Sequence, residues 1–148
     1  MKTSTLEKNI TKFVKKFGIR RALQNDTFLY RGRTVYFTIW HHQEDDLFID
    51  FCNKKYDTDL TAWSFVFCIL HEIGHFQTIS QLTKEELVYE YLMRDMEIDN
   101  NIYFNLPAED LANRWAIEYL EAHPQECWKF QNKCLNIIRH LYKKHHLL

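Results

Sequence analysis

The chain reads as an α+β fold: a helix, then a small sheet, then a run of helices. Three patterns carry this reading. Near the start, Leu6, Ile10, Phe13, Val14 and Phe17 recur at helical spacing with lysines between them. β-Branched and aromatic residues then flank Arg31-Gly32-Arg33, as in a hairpin. Farther on, Pro107 and Pro124 each open a long periodic segment, where the first turn needs no N–H from them. With 148 residues, 46% hydrophobic and 16% aromatic, the chain can build a sizeable core, and residues 1–148 are expected to form a single domain. Three Gly and two Pro leave little room for linkers or a loop-rich β-protein.

Taken in order, the first helix is expected over residues 5–24, with Lys12, Lys15 and Lys16 on its solvated face. Residues 27–30 and 34–40 supply the two hairpin strands, and residues 47–51 (Leu-Phe-Ile-Asp-Phe) a third. The segment 58–80 has no proline, starts at Thr58 and Asp59 as capping residues, and is apolar nearly all round from Ala62 to Leu70. Such a helix is buried through a core. Thr83 and Glu86 stand three apart as a capping box for a further helix, running to Met96 or beyond before a break at Asp99-Asn100-Asn101. Helices from Pro107 to about Ala122 and from Pro124 to about Lys144 complete the chain. In the last, Cys127, Phe130, Cys134, Leu135, Ile138 and Leu141 form an apolar stripe that belongs in the core.

Composition sets aside several functions. A formal charge of −1 gives no reason to expect nucleic-acid binding. The first twenty residues hold no apolar run resembling a signal peptide, and the buried segment is too short to span a bilayer. Cys52, Cys68, Cys127 and Cys134 show no C-x-x-C spacing, so reduced thiols in a cytoplasmic protein are expected. Cys68 falls one turn before His71, as a core residue or as a neighbour of the site described next.

That site is His71-Glu72-Ile73-Gly74-His75. It spells H-E-x-x-H, which on a helix puts two imidazoles one turn apart on one face with a carboxylate beside them. Chance supplies roughly 0.03 such matches in a chain of this composition. The expected ion is a single Zn²⁺ held by His71 and His75, with Glu72 as general base toward a metal-bound water. A catalytic zinc site has three protein ligands and one open position. A third His six residues after the second, preceded by Gly, is ruled out by Phe76-Gln77-Thr78-Ile79-Ser80-Gln81. A carboxylate from a later helix remains, with Glu85, Glu86, Glu90, Asp95, Glu97, Asp99 and Glu109 as candidates. Glu109 is favoured because Ala112 and Ala116 follow on its face, and small residues let two helices approach closely. Asn113, one turn on, can hold a ligand in place. On spacing alone, an acid stabilised by the dipole of its own helix explains Glu109 equally well.

The two motifs, His71-Glu72-Ile73-Gly74-His75 and Glu109-Asp110-Leu111-Ala112-Asn113-Arg114-Trp115-Ala116, resemble those of the ImmA/IrrE metallopeptidases, which pair H-E-[LI]-G-H with E-x-E-A-N-x-F-A. Leu111 stands where that family has a second Glu, and Glu121-Ala122-His123-Pro124 where it has Leu-Met-Pro. The resemblance implies a zincin-like (gluzincin-like) fold, mostly helical, with about three strands packed on the buried H-E-x-x-H helix. It implies His71, His75 and Glu109 as zinc ligands, Glu72 as catalytic base, and Ala112, Asn113 and Ala116 as packing and supporting residues. It implies a zinc-dependent peptidase of phage or mobile-element type, acting on a protein or peptide such as a transcriptional repressor. The alternative is a zinc-binding regulatory protein of the same fold that cuts little or nothing. Residues 35–40 are expected to take an extended substrate as an added strand. The oxyanion-stabilising group is left open among Tyr89, Tyr91, Tyr103, Tyr119 and His123, while His41-His42 and His145-His146 read as surface histidines.

Overall fold

The structure, a computed structural model, describes residues 4–96 and 98–145. Glu97 and His146, named above, lie outside the described residues. Helix α1 (Thr5–Lys15) begins with a capping box: the Ser4 hydroxyl accepts from the Glu7 N–H at 3.0 Å and the Glu7 carboxylate accepts from the Ser4 N–H. It buries Leu6, Ile10, Phe13 and Val14, the predicted stripe. The expectation that it continues to Gln24 is wrong. Gly18, at φ +87°, turns the chain, and residues Arg21–Gln24 form strand β1. The cause lies in α1 itself: Thr11 Oγ1 accepts from the Ala22 N–H at 2.9 Å and the Glu7 carboxylate from the Gln24 N–H at 2.9 Å. These side chains satisfy the free edge of β1 as another strand would.

Strands β2 (Leu29–Arg31) and β3 (Thr34–Phe37) form the predicted hairpin around Gly32. The sheet order is β1-β3-β2, with β1 parallel and β2 antiparallel to β3. β3 is therefore central and its residues are hydrogen-bonded on both sides, so it offers no edge to an added strand. That correction follows from β1, whose residues the sequence pattern assigns to the first helix. The third strand expected at residues 47–51 is instead part of helix α2 (Gln43–Tyr56). Glu44, Asp45 and Asp46 occupy its first turn and Lys54 and Lys55 its last, as the helix dipole favours. Ile49 and Cys52 face inward one helical step apart. A short run of β-prone residues is overridden by this charge pattern.

Helix α3 (Ser64–Thr78) follows a 3-10 turn at Thr61–Trp63 and starts later than Thr58 and Asp59 suggest. Its own cap residue, Trp63, supplies no side-chain bond. Gln131 does so from across the molecule: its carbonyl accepts from the Val66 N–H at 3.0 Å and its amide donates to the Ala62 carbonyl at 2.8 Å. Helices α4 (Lys84–Arg94), α5 (Asn100–Phe104), α6 (Pro107–Ala122) and α7 (Pro124–Lys144) follow. The Thr83–Glu86 capping box and both proline starts stand where predicted. No described helix is long and apolar enough to cross a membrane.

The fold is α+β and mostly helical around α3, which is buried from Val66 to Gly74. The sheet meets α3 through β2 and β3, α7 packs on another side, and α6 makes the most extensive contact of all. At that contact Gly74 is indispensable. A Cβ built there would lie 2.6 Å from the Ala112 carbonyl oxygen and 3.0 Å from its Cα. Both are backbone atoms, so neither can rotate away. Ala112 and Ala116, fully buried, are the matching small residues of α6.

Replacing Gly74 by Ala should raise local helix propensity by about 1 kcal/mol yet cost ~1–3 kcal/mol in overpacking. A net loss of stability is expected in denaturant unfolding, whereas unchanged or increased stability would contradict the close approach. Gln131→Leu, nearly isosteric, should cost ~1–3 kcal/mol by stranding the buried Val66 N–H. A neutral Gln131→Leu would show that this end of α3 has another partner.

Candidate functional site

The α3–α6 contact brings one face of each helix to the floor of a cleft of about 400 Å³. From α3 come His71, Glu72 and His75; from α6 comes Glu109. The carboxylate oxygen Oε2 of Glu109 lies 2.8 Å from His71 Nε2 and 3.0 Å from His75 Nε2. The two Nε2 atoms are 3.1 Å apart. Three atoms of types that can bind a metal thus meet at one point, two from an i, i+4 pair and the third from the facing helix. The ligating atoms of His71, Glu72 and His75 also lie within 4.8 Å of one another.

A chain of hydrogen bonds sets the orientation of His71. The Tyr56 hydroxyl donates to Asp110 Oδ1 at 2.7 Å, and burial and that bond keep Tyr56 a neutral phenol. Its oxygen accepts from Asn113 Nδ2 at 3.3 Å. Asn113 Oδ1 is then the atom facing His71 Nδ1, at 2.7 Å, and can only accept. His71 carries its proton on Nδ1 and directs Nε2 into the cleft. The Phe48 ring closes the other side of the imidazole edge-on, with centroids 4.9 Å apart.

The electrostatics follow from this crowding. Burial works against a charged His71, but the Glu109 carboxylate outweighs it and holds the imidazole above its ordinary value. Burial likewise works against an ionised Glu109, yet His71 and then His75 hold it well below the usual carboxylate range. Glu72, also buried, is pushed up chiefly by burial, with His71 and His75 opposing; no donor among the described residues hydrogen-bonds it. Cys68 lines the same cleft, but burial raises it far above the thiol range and it stays protonated.

The second oxygen of Glu109 is held by a residue that the sequence did not single out. Arg94 donates Nη2 to Glu109 Oε1 at 3.0 Å and Nη1 to the Tyr103 hydroxyl at 2.9 Å. Its neighbour one turn earlier, Glu90, accepts from the Ala108 N–H and so caps α6 from outside, where the cap residue Leu106 has no suitable side chain. The sequence signal was present as an i, i+4 acid–base pair, Glu90 and Arg94, on a helix whose apolar residues lie elsewhere.

The structure brings together His71, Glu72, His75, Glu109 and Asn113 as the sequence proposed, with Ala112 and Ala116 behind them. The other candidate ligands do other work. Glu86 closes a capping box, Asp99 caps α5, Asp95 ends α4 and Glu85 is exposed. Tyr103 lines the cleft, whereas Tyr89 and Tyr91 point to solvent, and Tyr119 bonds to Glu126. His123 stands between α6 and α7 beside the same Glu126. His41 is a surface residue paired with Asp46, but His42 lines the cleft with its Nε2 buried and unpartnered.

Residues 15–124 match the family described as Immunity protein 44. The chain belongs to that family. No curated protein and no solved structure matches it. The match corrects the reading drawn from the two motifs. The family is one of toxin-immunity proteins, not of ImmA/IrrE peptidases, and the expected hydrolase with Glu72 as catalytic base, cutting a repressor or another protein substrate, is overturned. The zincin relationship, the phage or mobile-element type and the regulatory-zincin alternative lose their support with it. The H-E-x-x-H spacing describes which donor atoms converge, and it does not prescribe a reaction.

Because Arg94 and Glu90 tie α4 to α6, Arg94→Met should loosen α4 selectively. Amide exchange across α4 is expected to accelerate at least roughly tenfold while α3 stays protected. Equal protection in both proteins would show that the Arg94–Glu109 pair is not what holds α4.

Proposed function

We propose that the protein neutralises a toxin by binding it, and that the toxin docks on the face made by α4 and the mouth of the cleft. Membership of the immunity protein 44 family across residues 15–124 is the observation that carries the reading. The choice of face rests on an inversion in α4. Helices normally turn apolar residues inward and charges outward. In α4 the buried residue is Glu90, at 5% exposure, and Arg94 is the other anchor. Val88, Tyr91 and Leu92 stand in solvent, with Tyr91 at 75% exposure, and Ile79, Leu87 and Met96 extend the patch. An apolar surface of this kind, rimmed by polar groups, is typical of a protein-binding site.

Its rim is acidic. Glu44 and Asp45 border the cleft, and the exposed Glu85 and Asp95 flank α4. The partner surface that fits has an apolar centre and basic margins, so that charge speeds the encounter and the apolar centre holds the complex. The four buried, unpaired cysteines suit binding in a reducing compartment such as the cytoplasm.

Co-expression with a toxin encoded at the same locus tests the proposal. Growth rescue and a stable complex on gel filtration are expected. Leu92→Asp and Tyr91→Ala should each weaken toxin binding by at least tenfold, about 1.4 kcal/mol, with Tm unchanged, since neither side chain is buried in the free protein. Rescue and affinity that survive Leu92→Asp and Tyr91→Ala together would move the docking face elsewhere. A wild-type protein that neither binds nor protects would remove the function.

A further inference from the structure

We propose that His71 Nε2, His75 Nε2 and Glu109 Oε2 form a binding site for one divalent transition-metal ion of the zinc class, serving structure rather than hydrolysis. The three atoms lie 2.8, 3.0 and 3.1 Å apart, a nearly equilateral triangle. Tetrahedral zinc with bonds of about 2.0–2.1 Å spaces its ligands at about 3.3 Å. Small side-chain rotations bring the triangle to that size. Two imidazole nitrogens and one carboxylate oxygen favour zinc-like ions over Mg²⁺ or Ca²⁺, which take oxygen ligands.

Two further observations point to a cation. The Asp110–Tyr56–Asn113 chain fixes a proton on His71 Nδ1 and aims Nε2 at the Glu109 carboxylate and a second imidazole nitrogen. Two imidazole nitrogens and a carboxylate oxygen gathered in this way can share one ion, and metal-bound histidines commonly give their other nitrogen to such a partner. Independently, the Glu72 residue, 7% exposed, lines the same cleft and its carboxylate has no hydrogen-bond donor among the described residues. It stands within reach of an ion at this point, or of a water on it. Carboxylates of Glu44, Asp45 and Glu90 also line the cleft and attract cations into it. An ion here would tie α3 directly to α6, adding to the contact at Gly74. The inference stands apart from toxin binding, and its failure would leave the docking face untouched.

The test uses the purified full chain, stripped with a chelator and titrated with Zn²⁺ alone and with Co²⁺ alone. One zinc per chain is expected, with Tm rising by about 5–10 °C when free zinc is a hundredfold above Kd. Cobalt should give the intense visible absorption of a tetrahedral site with nitrogen and oxygen ligands. His75→Ala, at the more exposed of the two rings, should lower zinc affinity at least roughly a hundredfold while the circular dichroism stays helical. Folded wild-type protein that takes up no zinc would overturn the proposal. So would zinc binding that survives His75→Ala but is lost in His42→Ala, which would place the ion at the start of α2. Should His75→Ala fail to fold, the wild-type stoichiometry and cobalt spectrum still decide the matter.

Discussion

Everything at this site depends on how closely two backbones approach where Gly74 meets Ala112. A side chain at position 74 would strike the Ala112 carbonyl at 2.6 Å. Only at this separation can the short Glu109 side chain reach both imidazoles of α3. The consequences spread outward from α6. Asn113, one turn along, reaches His71, while Glu90 and Arg94 attach α4 to the first turn of the same helix. The cleft has its shape because α6 is pressed onto α3 on one side and carries α4 on the other. Separation of the two helices by a single methyl group would disturb all three features at once.

A motif and a family pointed in different directions here, and the physics shows how both readings can describe the same residues. H-E-x-x-H on a helix ensures that two rings share a face and that a carboxylate lies beside them. It says nothing about a substrate, a bond to be broken or a route for product. The convergence expected from spacing is present to within hydrogen-bonding distance. The hydrolase was an inference from the motif and the resemblance together, and the family match removes it without moving an atom. Buried charged clusters are costly unless every member is paired. This one is paired at Glu109, His71 and His75, while Glu72 lies beside them without a hydrogen-bond donor among the described residues.

Legibility in the sequence tracked how local each cause was. The helices at Pro107 and Pro124, the Thr83–Glu86 box and the Gly32 hairpin rest on contacts within a few residues, and all were readable. β1 was not, because the groups that satisfy it, Thr11 and Glu7, belong to another element. The start of α3 was misplaced for the same reason, its cap being Gln131, distant in the chain. Residues 47–51 deceived differently: alternating Phe and Ile suit either state, and the acids before and lysines after decide for helix. Within the site, the convergence of His71, His75, Glu109 and Asn113 was legible, whereas Arg94, Glu90 and Tyr56 act across elements and their roles were not.

The inversion of α4 has an energetic logic that links fold to function. A helix anchored by apolar burial has its apolar face consumed by the fold. Anchoring α4 through Glu90 on the Ala108 N–H and Arg94 on Glu109 leaves that face free. Burying one large apolar side chain contributes ~1.5–3 kcal/mol, and association costs ~4–15 kcal/mol in lost freedom. One or two exposed residues could not overcome such a cost. Ile79, Leu87, Val88, Tyr91, Leu92 and Met96, all exposed, give a partner several such side chains to cover rather than one. Charge complementarity from the acidic rim then adds to encounter rate more than to affinity. On the proposed reading, the polar network under the cleft serves binding indirectly, by holding in place a helix whose apolar face is left exposed.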